Sequence, residues 1–308
     1  MYRREEEFMQ AEKLLHYDKD EFISFCLRNR NKVDDSFLYD ENMKTFVPDE
    51  DNPTFIVKKD NSIIAGISLI LDDYHRRGKR GRFRIFYSEV KDQNIYCSLL
   101  SELLKHINGI DKVFIFVPFM NSELSDIIKR LNFKVERFVY LLIKEITEPQ
   151  VIHLPEGYSI REFQPNKDEE EWCFIRNTAF ANLKGNSTPV TKEMVQKLVS
   201  SSDYLEGGLL FLMHNNNPVG IIRGAKEDYN GESVMNIGPL AILPSHQGKG
   251  LGRQLLRASI DFADKKNYKK TMLCVNAENE KAKELYLKEG FIQVEGVVAY
   301  EYPINGEL

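Results

Sequence analysis

Apolar positions fall into short runs that switch between a two-residue and a 3.6-residue period. TFIVKK (54–59) and SIIAGISLIL (62–71) read as strands joined by a turn at Asp60-Asn61. Before them, a charged stretch holding Phe22, Ile23 and Phe25 predicts a helix. A basic loop, RRGKRGR (76–82), leads into the strand RFRIFYSEV. Next come a helix (SLLSELLKHI), a strand (KVFIFV), a helix (SELSDIIKRL) and a strand (FKVERFVYLLI). In ITEPQVIHLPEGY the periodicity stops, and its two prolines and one glycine predict an interdomain connection.

The same order then returns. SIREF is a short strand, and DEEEWCFIRNTAF a helix whose acidic residues sit in the first turn, where the helix dipole favours them. GLLFLMH and PVGIIRGAK predict a hairpin around Asn215-Asn216-Asn217. VMNIGPLAIL is an apolar strand, followed by a helix from about Gly250 to Lys266. KTMLCV is a strand, ENEKAKELYLKE a helix, and FIQVEGVVAYEY closes the second copy. A shift of 158 residues lays Asn279 over Asn121, Leu285 over Ile127 and Phe291 over Phe133. This internal repeat predicts two tandem α+β domains, 1–148 and 153–308, each a mixed, mostly antiparallel sheet flanked by helices.

Composition narrows the function. The chain has 308 residues, 42% of them hydrophobic, enough to bury a real core, and a formal charge of -5. That balance gives no global attraction to nucleic acid or anionic membrane. No apolar run nears the roughly 20 residues of a membrane span, and MYRREEEFMQ has no stretch resembling a signal peptide. Four separated cysteines without a C-x-x-C pair fit a reduced, cytoplasmic protein. Six dispersed histidines offer no metal-ligand spacing, so no metal is expected.

The most informative segment is LAILPSHQGKGLGR (240–253): an apolar strand, a proline, three glycines in five positions, then an amphipathic helix. Glycines let the backbone approach a ligand, and several N–H groups can then point at one anion. The helix N-terminus adds partial positive charge, and Lys249 and Arg253 add full charges. Such a site suits a phosphate or pyrophosphate. Walker A fails because Gly250, not Ser or Thr, follows Lys249. The dinucleotide fingerprint started at Gly248 fails because Arg253 stands at the third glycine. Q-x-x-G-x-G fits Gln247, Gly250 and Gly252.

LAILPSHQGKGLGRQLL closely resembles the pyrophosphate motif of the GNAT superfamily of acetyl-CoA-dependent N-acetyltransferases. CVNAENEKAKELYLKEGF resembles that family's second motif, in the family's order. The resemblance is strong over about 155–308 and weak, but in register, over the first half. It implies that Leu240, Ala241 and Ile242 splay from the neighbouring strand and offer backbone groups to the pantetheine arm. Gln247, Gly248, Lys249, Gly250, Leu251, Gly252 and Arg253 would wrap the pyrophosphate. Asn279 would hydrogen-bond the cofactor, and Tyr286 would protonate the leaving thiolate. The co-substrate would be acetyl-CoA, and the acceptor a primary amine of a small molecule or peptide. A longer acyl chain, or a non-catalytic acyl-CoA-binding module, is the alternative. The chain would act as a monomer or homodimer.

Many relatives carry a glutamate on the motif strand as general base. Val234 to Pro239 holds no carboxylate, and Glu232 lies just upstream, which leaves deprotonation unassigned. The first half has no glycine in Glu89 to Cys97, and Ile128 stands at the tyrosine position, so that half predicts a degenerate copy without cofactor. RRGKRGR, lacking interleaved aromatics, reads as a solvated loop. His246 borders the glycine loop. Cys274 reads as a buried small hydrophobe, and Thr178 to Tyr204 would help shape the acceptor pocket.

Overall fold

The computed structural model describes residues 10–39 and 43–304. The elements are β1 (Glu12–Lys13), α1 (Lys19–Asn29), β2 (Thr54–Lys59), β3 (Ser62–Ile70), α2 (Asp73–Arg77), β4 (Arg80–Ser88), α3 (Gln93–Lys105), β5 (Lys112–Pro118), α4 (Ser122–Arg130) and β6 (Lys134–Glu145). They continue as β7 (Tyr158–Glu162), α5 (Glu169–Phe180), α6 (Lys192–Leu198), β8 (Tyr204–His214), β9 (Asn217–Tyr229), β10 (Glu232–Ile242), α7 (Leu251–Lys265), β11 (Lys270–Asn276), α8 (Glu280–Lys288) and β12 (Ile292–Pro303). The two hairpin turns form as their sequences predict. Asp60 and Asn61, and likewise Asn215 and Asn216, take positive φ, the pairing that a two-residue turn between right-twisted strands requires.

The chain divides into two compact units, residues 1–138 with 297–308, and residues 139–296. This differs from a cut between 148 and 153. Each unit takes a strand from the other half of the chain. Val139–Glu145 of β6 pairs antiparallel with β11, and Val297–Pro303 of β12 pairs antiparallel with β5. An apolar strand shows its period in the sequence, not its partner, so the pattern could not reveal this exchange. The segment 146–157 accordingly belongs to the second unit. There Gln254 of α7 accepts from the amide of His153, and Arg257 donates to the carbonyl of Val151.

The first unit orders its strands β1-β2-β3-β4-β5-β12, and the second β7-β8-β9-β10-β11-β6. Both sheets are antiparallel except for one short parallel rung each, β4 with β5 and β10 with β11. In the second unit Leu255, Leu256 and Ile260 of α7 pack with Met235, Ile237 and Leu273 on one sheet face. Trp172 and Ile175 of α5 pack with Phe211, Ile221 and Ala241 on the other.

The repeat survives in detail. Asn121 and Asn279 both cap their helices, accepting from the amides of Leu124 (3.0 Å) and Ala282 (3.3 Å). Phe133 and Phe291 are both buried. In the parallel rungs Gly81 pairs with Val113 and Met235 with Thr271. Thr271 lies 158 positions after Val113, but Met235 lies only 154 after Gly81, so four residues are inserted in the second unit between these points. They fall in the connection after the motif strand, which spans 89–92 in the first unit and 243–250 in the second.

The basic segment 76–82 is not a solvated loop. It forms the end of α2 and the start of β4, and Arg80 and Arg84 are buried. Arg80 pairs with Glu136 and Arg82 with Asp34, while their guanidinium groups lie over Phe114 (4.1 Å) and Phe37 (4.4 Å). The aromatics that a linear reading could not find come from β5 and from residues before β2.

In the first unit the amide of Ser88 donates to the hydroxyl of Tyr96 (3.0 Å), with both residues buried. Tyr96→Phe should leave that N–H unsatisfied and lower unfolding stability by about 1–3 kcal/mol, read as a fall in urea midpoint at unchanged slope.

Candidate cofactor and acyl-transfer site

β10 and β11 run parallel side by side at only two positions, Met235 with Thr271 and Asn236 with Met272, although both strands continue beyond. Against β9 the pairing of β10 persists to Ile242 with a bulge between Ile237 and Leu240. The expected splay is therefore present. The amide of Leu243 donates to Val219, so by alternation Ala241 faces β9, while the backbone groups of Leu240 and Ile242 face away from it, into the splay. The Ile242 carbonyl there accepts from Gln247 Nε2 (2.8 Å). Gln247 thus ties the loop to the strand end.

The loop then turns through two left-handed glycines, Gly248 (φ 77°) and Gly250 (φ 74°). Gly250 is the N-cap of α7 and supplies no side-chain cap. Amides of Arg253 and Gln254 return to its carbonyl, but those of Gly248, Lys249, Gly250, Leu251 and Gly252 find no acceptor among the described residues. Five unpaired amides, a helix dipole and the exposed Lys249 lie together at the start of α7, an arrangement that can hold a diphosphate. A Cβ at Gly248 or Gly250 would meet open space, so conformation is what requires glycine there. Gly252 differs. Its φ is ordinary, and a Cβ would make plain contacts with Ile242 and Leu285 at 3.9 Å.

Arg253 is held by an ion pair with Glu289 (2.9 Å), which also takes Arg257 (2.7 Å). Glu289 was not visible as a site residue, because its only local signal is a place one residue before Gly290. His246 lies 2.9 Å from the Tyr158 hydroxyl through Nδ1, and its ring is 5.1 Å from that of His214. Burial, Lys249 and His214 hold its imidazole below the usual histidine range, so it is uncharged at neutral pH.

Tyr286, on α8, is 8% exposed and packs edge-on against Phe291 at 5.9 Å. Burial raises its hydroxyl to about 12. Its hydroxyl has no hydrogen-bond partner among the described residues, so its donor capacity is unused. Asn279, one helical turn and more before it, caps α8 as described above.

The sheet face that carries Asn236 also carries Met272, and by the two-residue period Cys274 and Asn276. Cys274 is exposed rather than buried, because α5 and α6 cover this face only farther along. Asn276 donates to the carbonyl of Lys184 (3.0 Å), and Asn177 both accepts from the amide of Val190 (2.8 Å) and donates to its carbonyl (2.9 Å). The connection between α5 and α6 is thus anchored beside the splay. Glu232 is spent in an ion pair with Lys270. No cluster of three metal-ligating side chains occurs among the described residues, and no helix there is long and apolar enough to cross a membrane.

Residues 168–291 match the model of the acetyltransferase (GNAT) family. Mycothiol acetyltransferase of Renibacterium salmoninarum is 29% identical over 154 residues, 49% of this chain and 45% of that protein. The Streptomyces coelicolor mycothiol acetyltransferase is 25% identical over 156 residues, 51% and 48% of the two chains. The chain spans about half the length of the curated relatives it matches. Two solved structures share the fold: a GCN5-related N-acetyltransferase from Sphaerobacter thermophilus (TM-score 0.71, 14% identity, 97% and 96% covered) and a tandem GNAT protein from the clavulanic acid biosynthesis pathway (TM-score 0.69, 11% identity, 97% and 99% covered). Fold, motifs and family match agree on a class, the GNAT acyltransferases. Residues 168–291 are similar to that family, and the fold of the chain is similar to that of the tandem GNAT protein.

Two glycine substitutions separate conformation from binding. Gly250→Val and Gly231→Val each force a branched residue to φ near +75° at an open site, at a cost of about 1–3 kcal/mol. Both should lower the melting temperature. Only Gly250→Val should abolish the additional upward shift produced by coenzyme A.

Proposed function

We propose that the second unit binds acetyl-CoA and transfers its acetyl group directly to a primary amine of a small molecule or peptide. The observation that carries this is the set of five unpaired amides at 248–252, beside a strand end whose outward backbone faces a splay. The loop grips the diphosphate, and Lys249 adds charge. Outward amides of Leu240 and Ile242 receive the pantetheine arm and polarise the thioester carbonyl, an effect worth about 10²–10³ in rate for one positioned donor. Gln247 and Arg253 hold the loop's shape through Ile242 and Glu289. Asn279 sets the start of α8 and hence the placing of Tyr286.

Aminolysis of a thioester expels a thiolate that needs a proton. The buried Tyr286 hydroxyl, raised to about 12, stays protonated throughout the neutral range and can supply it. The first unit binds no cofactor in this reading. Its connection is four residues shorter, the amide of Ser88, which corresponds to Ile242, is occupied by Tyr96, and Ile128 replaces the tyrosine. The acetyltransferases named above support acetyl as the transferred group.

Tyr286→Phe should reduce turnover by about 10²-fold or more while leaving coenzyme A affinity unchanged by calorimetry. Loss of turnover and affinity together would assign the ring to packing alone. Because the hydroxyl ionises only near 12, wild-type turnover should show no falling limb from this group between pH 7 and about pH 11.

A further inference from the structure

β10 offers no carboxylate to deprotonate the acceptor, but the strand beside it does. We infer that Glu227 of β9, presented to the splay beside Asn236, is the base that takes the proton of the acceptor ammonium. This rests on the acetyl-transfer reading above.

Cross-strand partners point to one face, and Glu227 pairs with Val234 while Asn236 pairs with Ala225 and Met272. Glu227 and Asn236 therefore share the face that Met272 and exposed Cys274 line, at the rung where β10 and β11 part. Their side chains meet, with Asn236 Nδ2 3.5 Å from Glu227 Oε2. The other oxygen accepts at 3.4 Å from the amide of Asp228. Both contacts are long, so the carboxylate keeps acceptor capacity for a further donor.

The neighbouring acids are already committed. Glu232 pairs with Lys270, Asp203 with Arg223, Asp168 with Arg161, Glu170 with Lys192, and Glu289 with two arginines. Glu295 accepts from Tyr229. Glu227 is half-buried and has no cation within ion-pair distance among the described residues. A half-buried carboxylate lacking its cation, in an open cleft, suits a cationic ligand such as an alkylammonium.

In the step, the ammonium gives one proton to Glu227, directly or through one water. The freed nitrogen lone pair attacks the thioester carbonyl and forms the N–C bond. The C–S bond breaks, and the thiolate takes the Tyr286 proton. The second proton lost from the amide nitrogen passes to solvent, which reprotonates Tyr286, and Glu227 releases its proton likewise.

The charged and titratable groups on this face are Arg223 and Tyr229 on β9, Tyr204 on β8, the ion-paired Glu232 and Lys270 on β10 and β11, Glu145 on β6 and Cys274 on β11, with Asn236 between. The test compares wild type, Glu227→Gln, and Glu227→Gln with Asn236→Glu, using thiol release from acetyl-CoA and a panel of polyamines and amino sugars. Glu227→Gln should lower kcat/KM for an ammonium acceptor by about 10²–10⁴ at pH 7. The deficit should shrink about tenfold per unit as pH rises towards the amine's own pKa, with coenzyme A affinity unchanged. The added Asn236→Glu should restore activity at pH 7, which a purely structural role of Glu227 would not allow. Unaltered kcat/KM in Glu227→Gln, or a deficit that is independent of pH, would overturn the inference while leaving acetyl transfer standing. Wild-type protein that binds no coenzyme A would overturn the transferase reading itself.

Discussion

The second unit depends on a backbone pairing that stops. After Asn236 and Met272, β10 and β11 no longer run side by side, although both chains continue. Buried backbone donors need partners, and here the strand end and the first turn of α7 leave theirs open together. Gly248 and Gly250 make the turn possible because only glycine takes their φ values without strain. Gln247 pins the turn to Ile242, and the paired arginines on Glu289 fix the helix behind it. The contacts of Gln247 with Ile242 and of Arg253 with Glu289 thus hold the loop in shape and leave its amides unspent.

The first unit serves as an internal comparison. It keeps the same strand order, the short parallel rung, a bulge in the motif strand and the asparagine cap on the following helix. It differs where the connection after β4 is four residues shorter and Tyr96 reaches back to the strand-end amide. A hydroxyl from the chain's own helix thus occupies the amide whose counterpart in the second unit is that of Ile242. The two units share a fold, and the difference in chemistry is concentrated in one connection and one side chain of α4 or α8.

Much of this was legible from residue pattern. The helix over DEEEWCFIRNTAF and the strand TFIVKK form as their periodicity predicts, and the glycine loop announces its conformation through residue type alone. Partners were less legible. The exchange of β6 and β12 leaves each strand's period intact, so nothing local marks it. The arginines of β4 read as a surface loop because Phe37, Phe114 and Phe116 are distant in sequence. Glu227 was hidden for the same reason. It lies nine residues before Asn236, and only the β9–β10 register brings the two side chains to one face.

The central claim, that one loop per chain grips a diphosphate with its amides, is tested most directly by calorimetric titration of the whole protein with coenzyme A. One molecule bound per chain, with comparable heat from dephosphorylated fragments only when they retain the diphosphate, is the result predicted. No binding heat, or two equivalent molecules per chain, would contradict it.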